Sequence, residues 1–212
     1  MNASLTSMMD QQLVWQGKDW HPSHHPLTTT GYKKLDQQLA EHGWAAASVN
    51  EIYVSSPGQG ELQLIAPALS SLSEQKRWII WIAPPAMPNA PALRQLNIDI
   101  SRILVVHPKT MNDQFWAIEQ ALQSGSCSVV LGWTQRLTAL QLRRLKLAAK
   151  RGSSMALLFR PHQERSVSSP ANNRIEVNAN QQSGTFSLDL FKRDGGWPTT
   201  IAACPYQDGF HC

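Results

Sequence analysis

Short blocks of unbroken apolar residues alternate along this chain with longer stretches in which apolar residues return every third or fourth position. Blocks of the first kind read as strands buried on both faces, and stretches of the second kind as amphipathic helices. The strand candidates are Val49 to Ser55, Arg77 to Ala83 (RWIIWIA, closed by Pro84 and Pro85), Ile103 to His107, Cys127 to Trp133 and Ser154 to Arg160. Between them, GQGELQLIAPALSSL sets Leu62, Ile65, Ala66 and Leu69 at helical spacing, and a weaker helix covers Ala90 to Asn97. Met111 to Ser124 stacks Phe115, Ile118 and Leu122, with Thr110 and Asp113 resembling a capping box and Gly125 as the stop. A helix from Thr138 to Arg151 has Thr138 and Gln141 in capping-box spacing and stops at Gly152. Repeated strand-to-helix alternation predicts an α/β fold with a mostly parallel sheet, right-handed crossovers and helices on both faces.

The pattern weakens at both ends. Residues 1–27, with Trp15, Trp20 and the cluster HPSHHP, read as an irregular arm. A short helix follows, with Thr30 as its N-cap, Leu35 and Leu39 one turn apart, and Gly43 at its end. The α/β core is expected over 28–161. Beyond Pro161, QERSVSSPANN reads as a flexible connection, and the alternating runs Arg174 to Asn180 and Thr185 to Lys192 predict a β-hairpin on the sheet edge, so 162–193 form linker and hairpin. The stretch 194–212 reads as a flexible tail.

Composition agrees with a packed domain. Of 212 residues, 42% are hydrophobic and only 16% charged, the opposite of a disordered chain. The net charge of +4 favours acidic surfaces and permits DNA contact, without choosing between DNA and protein. Cys127, Cys204 and Cys212 make neither a CxxC pair nor an even set, which implies a reducing compartment and no disulfide framework. No basic-then-apolar leader stands at the N-terminus and no apolar run approaches the roughly 20 residues of a membrane span, so a cytoplasmic protein without a membrane anchor is expected.

In a sheet of this type a phosphate would sit after the first strand, on a glycine-rich loop whose amides face it and whose Lys reaches the outer phosphates. That loop is SSPGQGEL here. It supplies Gly58 and Gly60, but Glu61 follows where a Lys is wanted, and no Ser or Thr comes next to hold magnesium. The strand expected to end in a metal-orienting Asp, SVVLGW, ends in Gly132 and Trp133. Ser126 lies in no nucleophile elbow, and His21, His24 and His25 lack a Cys or carboxylate pair at ligand spacing. The chain is therefore read as non-enzymatic, with no cofactor and no metal.

Two features suggest protein contacts instead. The helix from Thr138 carries Arg143, Lys146 and Lys150 on one stripe, with Arg136, Arg144 and Arg151 nearby, as a solvated face or an acidic partner's site would. Strand Arg77 to Ala83 alternates Arg77, Ile79 and Trp81 against Trp78, Ile80 and Ile82, and Arg and Trp are the residue types that interface hot spots favour.

The run TGYKKLDQQLAEHGWAAASVNEIYV resembles the start of the RecA core through Thr30, Gly31, Leu35, Asp36, Gly43, Glu51 and Ile52. Joined by GELQLIAPALSSLSEQKRWIIWIAPP, SGSCSVVLGW and LRRLKLAAKRGSSMALLFRP over roughly 28–161, it resembles the SulA-like group of SOS-response proteins, which have a degenerate RecA-like core. Within that group the VWQGK arm and the extension beyond FRP look closer to ImuA than to SulA. The ImuA likeness implies a cytoplasmic adaptor, made on DNA damage, that binds RecA and a translesion polymerase-like subunit to support mutagenic bypass. The SulA likeness implies instead a division inhibitor that binds FtsZ and blocks septation, with Arg77, Ile82 and Arg102 on the matching surface. Either function leaves oligomerisation open.

Overall fold

The structure is a computed structural model that describes residues 27–180 and 182–205. Expectations for the N-terminal arm, its tryptophans and histidines, and Cys212 fall outside the described residues.

Strands β1 (Leu27–Thr28) and β2 (Trp44–Ala45) form a small antiparallel ladder beside helix α1 (Lys33–Asp36). The main strands are β3 (Val49–Val54), β4 (Trp78–Ile82), β5 (Ile103–Val106), β6 (Cys127–Trp133), β7 (Met155–Pro161), β8 (Asn173–Asn180), β9 (Thr185–Lys192) and β10 (Thr199–Pro205). They build one 8-stranded sheet in the order β10-β9-β8-β3-β7-β6-β4-β5. Pairing is parallel from β8 through β5 and antiparallel at β8–β9 and β9–β10. Both the mostly parallel sheet and the C-terminal hairpin match the sequence pattern.

The crossovers are α2 (Glu61–Ser73), α3 (Ala90–Gln95), α4 (Met111–Gln123) and α5 (Ala139–Gly152). One core cluster joins α2 and α3 to the sheet through Leu64, Leu69, Leu93, Ile52, Ile79 and Trp81. A second joins α4 and α5 to the opposite face through Ile118, Leu122, Leu142, Leu145, Ile80 and Ile82. The alternation Ile79/Trp81 against Ile80/Ile82 thus divides β4 between two cores, as expected of a strand buried on both faces.

Capping agrees for the later helices: Thr110 caps α4, and Thr138 with Gln141 forms a full capping box on α5. It differs at α1, whose N-cap is Tyr32 rather than Thr30. Thr30 is fully buried, and its amide and the Thr29 hydroxyl both donate to Asp36 (2.9 and 2.7 Å), so that carboxylate braces the turn from the other end.

Two segments expected to move are held. The connection after Pro161 crosses the sheet face beside α5, where Lys146 Nζ donates to Pro170 O (3.0 Å) and Lys192 Nζ to Ser169 O and Ala171 O (2.8 and 2.6 Å). Desolvation by burial lowers the pKa of both ammonium groups. The supposed tail contains β10, which buries Ile201 and Cys204 in the larger core. A register shift between those two residues, with Ala203 at φ 52°, breaks the two-residue alternation and hides the strand from pattern reading.

At the centre of the sheet, β3 carries a charge into the interior. Glu51 is fully buried; Arg160 of β7 pairs with one carboxylate oxygen and Arg174 Nε of β8 donates to the other at 3.0 Å. Arg174 Nη2 also donates to Tyr53 OH (2.6 Å) and Arg165 O (3.0 Å), and Arg160 Nη2 to Glu164 (3.2 Å). Farther out, Arg165 pairs with Glu176 and Asp189 and lies 4.4 Å over the Phe191 ring. Removing one member of a buried pair leaves the other charge without compensation, at a cost of about 3–5 kcal/mol. Glu51→Ala is therefore expected to lower the urea unfolding free energy by about that amount, and Arg165→Ala, at the half-exposed rim, by much less. Equal losses would contradict this ranking.

Candidate functional site

The loop after β3, where the sequence reading looks for a phosphate, holds a carboxylate of the chain's own. Gly58 (φ 85°) and Gly60 (φ 98°) hold the left-handed turns that lead into α2, with Gly60 as its N-cap. Glu61, the first helical residue, folds back so that its Oε1 accepts the Gly58 amide at 2.7 Å, and the side chain is 2% exposed. An amide that would face a phosphate faces a carboxylate instead. An incoming phosphate would have to displace a buried negative charge, and no Lys stands beside it to compensate.

The facing strand end is similarly converted. At Gly132 an added Cβ would lie 2.9 Å from Ile118 Cδ1, so any side chain there would require Ile118 to shift. The next residue, Trp133, packs between Trp81 (centroids 5.4 Å apart) and Phe159 (4.7 Å). Trp133 and Phe159 wall a cavity of about 280 Å³ at the carboxyl ends of β3, β4, β6 and β7, lined also by Ser55, Ser56, Thr134 and Gln135. The Ser126 hydroxyl lies 2.7 Å from the Ser124 hydroxyl and has no acid–base partner among the described residues. Burial raises the Cys127 and Cys204 thiols above their usual pKa, which keeps them protonated. No group of three or more potential metal ligands occurs among the described residues.

The structure separates the residues marked as partner contacts. Ile82 is fully buried in the second core, so it presents nothing to a partner. Arg77 donates to Gly152 O (2.7 Å), Ser153 O (2.9 Å) and Ser154 Oγ (3.2 Å), satisfying carbonyls at the C-terminal end of α5. Its role here is structural, and the sequence hid this because its acceptors lie some 75 residues away. Arg102 is half-buried in the turn before β5, the open edge of the sheet, next to exposed Leu104 (48%) and near Trp78 (42%) of β4. On α5, Arg143 and Lys150 are exposed, whereas Lys146 is half-buried and tied to Pro170.

Sequence reasoning missed the apolar members of these surfaces, Leu104, Leu140, Leu147 and Trp116, all at least 48% exposed. The heptad spacing of Leu140 and Leu147, out of phase with buried Leu142 and Leu145, was the signal available.

Fold and site together define a mixed α/β protein whose glycine-bearing loop after β3 is closed by its own Glu61. Residues 48–156 match the family model described as "Cell division inhibitor SulA". The chain is 31% identical over 152 residues to the cell division inhibitor SulA of Yersinia pestis (strain Pestoides F), a match covering 72% of this chain and 88% of the relative. The SulA of Yersinia pseudotuberculosis serotype O:1b (strain IP 31758) gives the same values. A crystal structure of SulA from Pseudomonas aeruginosa is 30% identical, with a TM-score of 0.47, covering 53% of this chain and 97% of that one. The chain belongs to the SulA family. The family model and the curated relatives favour SulA, the reading the sequence ranked second, over ImuA.

Arg77→Ala removes three hydrogen bonds at the α5 end and is expected to lower stability by about 1–3 kcal/mol, read as a lower urea midpoint. An unchanged midpoint would return Arg77 to the list of free surface groups.

Proposed function

We propose that this chain is a non-catalytic, cytoplasmic inhibitor of cell division, made in the SOS response, that binds FtsZ and blocks septation. The observation that carries the reading is the family match, which spans the strands and helices of the sheet core. The Glu61 carboxylate on the Gly58 amide supports the non-catalytic part: a degenerate RecA-type core would keep its loop without holding a nucleotide. Among the described residues, no helix is long and apolar enough to cross a membrane.

The contact surface we assign is the open edge at β5. Among the described residues no strand pairs with its outer side, Leu104 and Trp78 supply apolar area, and Arg102 supplies a charge at the entrance of the strand. Hot spots of this composition carry much of an interface's binding energy. Of the surface positions read from the sequence, Arg102 is retained for this contact and Arg77 and Ile82 are not.

One observation favours a second reading. The matched residues end at 156, so β8, β9, β10 and both arginines that bracket Glu51 lie beyond them. Three of the eight strands thus lie beyond the matched residues, an extension that suits an adaptor of the ImuA type, with RecA and a polymerase-like subunit as partners. Truncation after Pro161 is a poor test of it, because the cut strips Arg174 from Glu51 and opens the core.

FtsZ assembly, followed by sedimentation with the purified full chain added, discriminates between the two readings. Inhibition that saturates near equimolar ratio, and that Arg102→Glu weakens about tenfold, is the expected result. Undisturbed FtsZ assembly together with retention of RecA on the immobilised chain would transfer the assignment to the adaptor.

A further inference from the structure

Helix α5 presents a solvent-facing stripe that neither core uses and that the division-inhibitor reading does not require. Leu140 (66% exposed) and Leu147 (58%) are one heptad apart and fall on one line along the helix. Arg143 and Lys150, each three residues on, border that line on one side, and Arg144 and Arg151, each four residues on, border it on the other. All four cations are exposed, and the opposite face of the helix is anchored by buried Leu142, Leu145, Ala148 and Ala149. The neighbouring helix α4 sets the exposed indole of Trp116 (62%) on the same layer, and the Arg144–Glu119 ion pair (2.6 Å) links the two helices.

We infer that this stripe is a docking site for an acidic amphipathic helix of another protein. The apolar line would pack against the partner's apolar line, and the cationic borders would meet carboxylates on both flanks, which is how a helix-in-groove site selects charge and register. Nucleic acid fits less well: phosphates have no use for two leucines at the centre of the stripe. A membrane surface fits less well too, because a basic amphipathic helix enters the interface by its whole apolar face, and most of that face of α5 is locked in the protein. Lys146, which the sequence placed on the stripe, is not part of it, since Pro170 O holds its ammonium.

The test uses the full chain and a fluorescein-labelled synthetic helix with a leucine stripe flanked by glutamates. The controls are the same peptide with lysines for glutamates, a short duplex DNA and vesicles of anionic lipid. Anisotropy at low ionic strength is expected to show saturable binding of the glutamate peptide that falls with added salt. Arg143→Glu combined with Lys150→Glu, and separately Leu147→Asp, are each expected to weaken it by about tenfold or more. These positions are exposed, so thermal unfolding should not change, and that measurement separates lost docking from lost fold. Equal binding of the lysine peptide, indifference to both variants, or preference for DNA or vesicles that survives Leu147→Asp overturns the inference. FtsZ assembly measured with the same variants keeps the two proposals apart: unaltered inhibition beside failed peptide binding removes only this one.

Discussion

A single buried carboxylate organises the sheet. Glu51 lies on the central strand β3, and its two oxygens are held by arginines from the strands on either side, Arg160 of β7 and Arg174 of β8. Each arginine reaches Glu51 from its own neighbouring strand, Arg160 when β7 is in register with β3 and Arg174 when β8 is, so filling both carboxylate oxygens requires both pairings. A buried ion pair adds little stability compared with apolar packing, but a broken one is costly. The arrangement therefore discriminates against slipped registers and against a chain lacking its C-terminal strands. Tyr53 and Phe191 stack on Arg174, and Arg165 extends the network to β8 and β9, so the hairpin joins the core by charge on one face and by Ile175, Val177 and Leu188 on the other.

The sheet core was legible in the sequence because its strands are short, apolar and separated by well-capped helices. RWIIWIA and SVVLGW allow few other readings. What the pattern concealed depended on partners distant in sequence. Arg77 looked like a free surface cation and is a cap for the end of α5; Lys146 looked like one of a stripe and is tied to Pro170. The connection after Pro161 looked mobile because it is polar, yet its backbone carbonyls are gathered by two lysines. β10 escaped notice because a bulge breaks its alternation. Long-range hydrogen bonding of this sort leaves no periodic trace.

In the loop after β3, Glu61 stands where a phosphate site would want a Lys. Glu61 was recognised as hostile to a phosphate. The structure adds that the same carboxylate is a ligand of the loop, satisfying the amide that a phosphate would have taken. Gly58 and Gly60 are thereby explained without a nucleotide: they let the backbone turn tightly enough for residue 61 to reach back. The cavity beside the loop survives as an aromatic pocket walled by Trp133 and Phe159. The edge at β5 and the outer stripe of α5 are where we place contacts with other molecules.

That the loop is closed by its own carboxylate is the claim on which the binding-only account rests, and the Gly58 amide reports on it directly. The measurement is a titration of the isotope-labelled chain with ATP and magnesium, following the Gly58 amide resonance. The account predicts no saturable shift and an amide protected from exchange by Glu61. A saturable shift of Gly58 in the unaltered chain would show an anion entering the loop and would contradict it.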